Sequence, residues 1–135
     1  MRPRYFTRDE ANALLPRLSD LLLQTQESKS KHDRLEEKVA EYAYRLTSNG
    51  HLIERELNET RQELAQAAAE LKTLIERVQE LGCEMKDIDQ GLVDFRAQRD
   101  GREVYLCWKL GEPKIGWWHE LDTGFAGRQP LGDEA

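Results

Sequence analysis

A chain of 135 residues suits a single domain with a modest core, and its 34% charged content fits long solvated helices better than a thick interior. A net charge of −6 excludes sequence-independent nucleic-acid binding, which needs Lys and Arg clustered against phosphates. No run reaches the ~18 apolar residues of a membrane span, and MRPRYFTRDE lacks the apolar centre of a signal peptide. Cys83 and Cys107 form no CxxC, so both are expected to be free thiols in a reducing cytoplasm.

The first element is a helix opened by Thr7. TRDE is a capping box in which Thr7 accepts from the Glu10 amide and Glu10 reaches back, with Tyr5 and Phe6 preceding it. Pro16, inside ANALLPRL, predicts a kink over Asn12–Leu15 or a short helix followed by a long one. Beyond it Leu18, Leu21, Thr25, Ser28, His32, Leu35, Val39, Tyr42 and Leu46 alternate by three and four, a heptad seam. TSNGH breaks the helix, with Asn49-Gly50 at the positions that tolerate left-handed backbone.

A second seam follows: Ile53, Leu57, Thr60, Leu64, Ala67, Leu71, Leu74, Val78 and Leu81, closed by Gly82. The short link makes the helices antiparallel neighbours, with Leu46 near Ile53 and Leu21 near Val78. Thr25, Ser28 and His32 make the middle polar. His32 is expected to hydrogen-bond locally, because no second ligand lies at metal-site spacing. An isolated ribbon would leave Leu22, Ala68 and Ile75 wet, so a homodimer joined through the helices is expected.

From Gly91 to Trp118 the period changes to two. Asp100-Gly101 is a strong hairpin turn, pairing Arg99 with Arg102, Phe95 with Leu106 and Asp94 with Cys107. A second reversal at LGEP pairs Lys109 with Lys114, Cys107 with Gly116, Leu106 with Trp117 and Val104 with His119. The fold class is therefore α+β: a long antiparallel two-helix hairpin followed by a small three-stranded antiparallel β-meander. Its parts are hairpin 1–82, sheet 83–121 and C-terminal tail 122–135, in a single domain 1–135. CEMKDID could add an edge strand.

In that register one face is apolar, with His119 at its edge. The other holds Asp94, Arg96, Tyr105, Cys107, Lys109, Gly116 and Trp118. Gly116 leaves a notch beside Asp94 and Cys107, and Trp118 is an aromatic platform. The alternative is that Gly116 only permits a bulge and Asp94–Arg96 is an ordinary surface pair.

Asp94, Cys107, Glu112 and His119 include the ligand types of a zinc or iron site. Yet this register puts His119 on the opposite face from Asp94 and Cys107, which disfavours both a metal centre and a Cys–His nucleophile. No P-loop, dinucleotide fingerprint or HExxH is present, so no catalytic residue is assigned and no cofactor is required. Arg128 either captures a carboxylate or phosphate or, more simply, pairs with Asp94, Glu112 or Asp122 to pin the tail, which Phe125 would anchor.

EANALLP, KDIDQGLVDF, GREVYLCWKLGEPKIGWWH and GFAGRQPL give the chain a family likeness. It resembles an uncharacterised bacterial and archaeal family catalogued as domain of unknown function 2203. The resemblance implies a small soluble prokaryotic protein and marks Asp87, Gly91, Asp94, Phe95, Cys107, Trp108, Gly111, Glu112, Trp118, His119, Gly124, Phe125, Gly127 and Arg128 as motif positions. The functional expectation is a homodimeric binding module using the outer sheet face or dimer groove, through Asp94, Cys107, Trp118, His119, Glu112 and Arg128. The competing class is a small metal- or ligand-dependent enzyme built on Asp94, Cys107, Glu112, His119 and Arg128.

Overall fold

The computed structural model describes residues 4–49 and 51–132. In chain order these form α1 (Arg8–Asn49), α2 (His51–Glu80), β1 (Glu84–Asp87), β2 (Leu92–Arg99), β3 (Arg102–Lys109), β4 (Trp117–His119), a 3-10 turn (Phe125–Gly127) and β5 (Gln129–Pro130). The α+β class holds. The sheet has five strands rather than three, ordered β1-β2-β3-β4-β5 and antiparallel throughout. Gly50, assigned to the break between the helices, lies outside the described residues.

Two compact units make up the chain: Met1–Leu23 with Glu76–Ala135, and Gln24–Ile75. The second is the helical hairpin. Leu35, Ile53, Leu57 and Ala67 of its seams are buried, and Lys31 of α1 reaches Glu70 of α2 at 3.8 Å. Two polar residues of its seams are satisfied from within. Thr60 donates to the Glu56 carbonyl at 2.7 Å, and half-buried His32 bonds Asp33 at 3.1 Å, the local role expected of it.

Ser28 is the exception: its hydroxyl is buried with no partner among the described residues. Ser28→Ala is expected to raise stability by about 1 kcal/mol, by removing an unsatisfied hydroxyl and improving helix propensity. The urea midpoint should rise with an unchanged m value. A lower midpoint would place a bonded water at that hydroxyl.

The first unit carries the sheet. Its capping box forms as expected, with Thr7 N–H donating to Glu10 at 2.8 Å and Glu10 N–H to the Thr7 hydroxyl at 3.1 Å. Pro16 neither ends α1 nor splits off a short helix: one helix runs through it. Leu15, Leu18, Leu21, Leu22 and Val78 pack with Phe6, Val93, Phe95, Val104, Leu106, Trp108, Ile115 and Trp118 into one core. Leu22, which an isolated helical ribbon would leave wet, is fully buried there against the chain's own sheet.

The β2–β3 hairpin follows the expected register at every pair, from Arg99 with Arg102 to Leu92 with Lys109. Asp100 and Gly101 both have positive φ, 52° and 80°, as a tight primed turn requires. The edge strand anticipated in CEMKDID is β1, bulged between Met85 and Asp87 against β2.

The β3–β4 register differs from the expectation by one residue. Tyr105 pairs with His119, Leu106 with Trp118 and Cys107 with Trp117. LGEP is not a simple reversal, because Ile115 and Gly116 bond elsewhere. Ile115 N–H donates to Asn12 Oδ1 at 2.7 Å, Arg8 Nε donates to the Ile115 carbonyl at 2.8 Å, and Leu131 N–H to the Gly116 carbonyl at 2.9 Å. The strand therefore starts only at Trp117. A slip of one residue exchanges the two faces for every side chain after it.

Cys83, at the start of the sheet, is a buried free thiol donating to the Val78 carbonyl at 3.4 Å. Burial pushes its pKa from the ordinary 9.0 up to about 11. Below pH about 9 folded and unfolded chains both keep this proton, and its contribution to stability is intact. As pH climbs through about 11 the unfolded thiol ionises first and the contribution is lost, about 3 kcal/mol at most. Denaturant midpoints for wild type and Cys83→Ala are expected to converge across that window. Parallel curves would refute the assignment.

Candidate functional site

The slip moves His119 from the apolar face to the other one, beside Asp94 and Cys107. It moves Trp118 the opposite way, into the core against Leu106, so Trp118 is not the aromatic platform expected of it. Trp117 takes that place, with the Arg128 guanidinium 4.4 Å above its ring. The Gly116 notch is also absent from this row, since Trp117 stands opposite Cys107.

What forms instead is a closed constellation. One ligand atom each from Asp94, Cys107 and His119 lies within 4.8 Å of the others. All three residues are buried, at 4%, 2% and 2% exposure, which overturns the expectation of an open contact face around Asp94 and Cys107. His119 Nε2 stands 3.1 Å from Asp94 Oδ1. Its Nδ1 lies 2.7 Å from the Glu120 carbonyl oxygen, which can only accept, so Nδ1 carries a hydrogen and Nε2 is the atom turned to the cluster.

The electrostatics follow from burial. Loss of water raises the Asp94 carboxyl above its ordinary range, against the downward pull of His119. Burial, reinforced by Asp94, pushes the Cys107 thiol up to about 11, against the opposing Arg128 guanidinium. A thiol so suppressed is a poor nucleophile.

Glu112 stands beside this group, while Arg128 reaches it, its guanidinium in hydrogen-bonding contact with the Cys107 side chain. Arg128 Nη2 donates to Glu112 Oε2 at 2.8 Å and Nη1 to Oε1 at 3.3 Å, a two-pronged pair that ties the tail to the β3–β4 connection. Glu112 also accepts from Lys109 N–H at 2.8 Å. The simpler role expected for Arg128 is the observed one. Phe125 stacks under Arg128 at 4.3 Å but remains part-exposed, and β5 pairs with β4 at the tail's end.

Arg96 does not pair with Asp94. It bonds Glu84 at 2.8 Å and Glu103 at 3.1 Å, while Tyr105 donates to Glu84 at 3.0 Å. Sequence reasoning missed the ties from Arg8 and Asn12, which no local pattern announces.

A recess of about 260 Å³ opens onto the cluster, walled by Lys86, Tyr105, Leu121, Gly124 and Phe125. A larger one, about 540 Å³, lies between Tyr5–Asp9 and the ends of β2 and β3. Among the described residues it gathers no ligating cluster like the one that floors the smaller recess.

The family model for uncharacterised conserved proteins of domain of unknown function 2203 matches residues 4–131. The chain belongs to this family. No curated protein and no solved structure matches it. Within the matched stretch Asp94, Cys107 and His119 meet at one point, Glu112 and Arg128 clasp the segment beside it, and Trp118 serves the core. Among the described residues no helix is long and apolar enough to cross a membrane.

Proposed function

We propose that this protein is a small binding module whose recognition site is the recess above Asp94, Cys107 and His119. The supporting observation is that two titratable side chains, Asp94 and His119, are withdrawn from water at 3.1 Å from each other on the floor of that recess. Apolar residues would pack there at lower cost, so fold stability alone gives no reason for them. Binding fits better than catalysis, because the thiol is suppressed and Glu112 and Arg128 neutralise one another. The enzymatic alternative uses the same three converging residues with a reacting ligand in the recess.

Amide shift mapping of the full chain tests this reading, using small organic anions and divalent ions in turn. Shifts should concentrate at Lys86, Leu121, Gly124 and Phe125, and Leu121→Trp, which fills the recess, should abolish them. Shifts confined to the helices, or none with either class, would overturn it.

The accompanying partner proposal is a homodimer through the helices of a protein working in a reducing cytoplasm. Leu23 and Tyr44 are exposed on α1, at 55% and 78%, and both cysteines are free. Light scattering at micromolar concentration should return twice the chain mass, and a monomer mass would remove the proposal.

A further inference from the structure

We infer that Asp94, Cys107 and His119 are three protein ligands of one divalent metal ion of the zinc type, whose remaining coordination position faces the recess. This rests on the binding reading above and names the ligand that occupies its floor. The argument begins with donor identity. A carboxylate oxygen, a thiolate sulfur and an imidazole nitrogen are the three donor types that tetrahedral zinc takes, and a thiolate in the set disfavours magnesium and calcium.

Spacing agrees. Zinc–ligand bonds of about 2.0–2.3 Å put tetrahedral donors roughly 3.3–3.8 Å apart. The Asp94–His119 edge is 3.1 Å, and the whole set lies within 4.8 Å, so closing on an ion needs side-chain movements of about an ångström. The donors come from three adjacent strands, β2, β3 and β4, through the pairs Asp94–Cys107 and Tyr105–His119. Backbone hydrogen bonds thus set their mutual positions, as a metal site requires.

Orientation is the second, independent observation. The Nδ1–H bond to the Glu120 carbonyl at 2.7 Å fixes the ring so that Nε2 points at the cluster, the outer-shell contact that metal-bound histidines characteristically make. Tyr105 backs the imidazole from the side, with ring centroids 5.4 Å apart.

Charge completes the case. On binding, the ion displaces the Cys107 proton to solvent, and Asp94 and Cys107 contribute two negative charges against two positive ones. The three ligands and the ion together become neutral, and the Arg128 guanidinium beside the Cys107 sulfur is itself paired with Glu112. Leu121 and Phe125 shield the remaining position while leaving room for water or one small donor group.

Cobalt(II) is the direct probe, because a thiolate–cobalt bond gives a charge-transfer band and tetrahedral geometry gives intense d–d bands. The full chain, purified without a histidine tag and stripped with chelator, should take one Co²⁺ with both signatures and release it to Zn²⁺. Cys107→Ser, nearly isosteric, should abolish the charge-transfer band. It should also weaken binding by more than the roughly 10–100-fold loss of an outer-shell partner. Cys83→Ser should keep the band.

An absent band in wild type, or a band lost with Cys83 and kept without Cys107, would overturn the metal assignment. If that happens while organic anions still shift Lys86 and Phe125, the binding reading survives and only the metal falls. If neither probe binds, both fall.

Discussion

Phe95→Ala is expected to destabilise the protein by about 3–5 kcal/mol, among the largest effects a single side chain in this chain can produce. Phe95 is fully buried in the centre of β2, edge-on to Phe6 at 5.1 Å and 76°. The deletion loses ring burial, leaves a cavity and removes the aromatic contact that holds the segment leading into α1. Folded domains have only about 5–15 kcal/mol in hand, so a large part of the margin would go. The melting temperature should fall by about 10–20 °C, read by circular dichroism. A fall of a degree or two would mean that β2 presents its other face to the core.

The second large effect concerns the pair at the site. His119→Leu and Asp94→Leu, each measured in chelator so that no ion contributes, should each cost about 3–5 kcal/mol. Each leaves a buried polar group without its partner. The double substitution should cost clearly less than the two together, with a coupling of about 1–3 kcal/mol. Two leucines facing one another satisfy the buried space, whereas one leucine facing a carboxylate or imidazole does not. Additive losses in urea denaturation would show that the two side chains do not act as a unit.

The sequence exposed whatever depends on neighbours in the chain. The reciprocal bonds of Thr7 and Glu10, the Asp100-Gly101 turn and the pairing of Asp94 with Cys107 are all local consequences of residue type and spacing. The position of His119 is not local. It depends on Ile115 and Gly116 being occupied by Asn12, Arg8 and Leu131, and Asn12 is 103 residues from its partner.

A rule that treats LGEP as a reversal sees none of these bonds, and it places Trp117, Trp118 and His119 on the wrong faces. The apolar pattern could not correct the error, because two adjacent tryptophans fill a core equally well in either register. β5 escaped for a related reason. Two residues, one of them Pro130, carry no strand periodicity, and their pairing to Trp117 and Trp118 comes from the closing of the tail.

Arg8 donates to the carbonyls of both Ile115 and Gly132, the latter at 2.9 Å. One side chain at the beginning of α1 thereby clasps both the strand connection and the tail. A nick in the backbone at the exposed Asp100-Gly101 turn would leave that clasp whole, because none of its residues lies between β2 and β3.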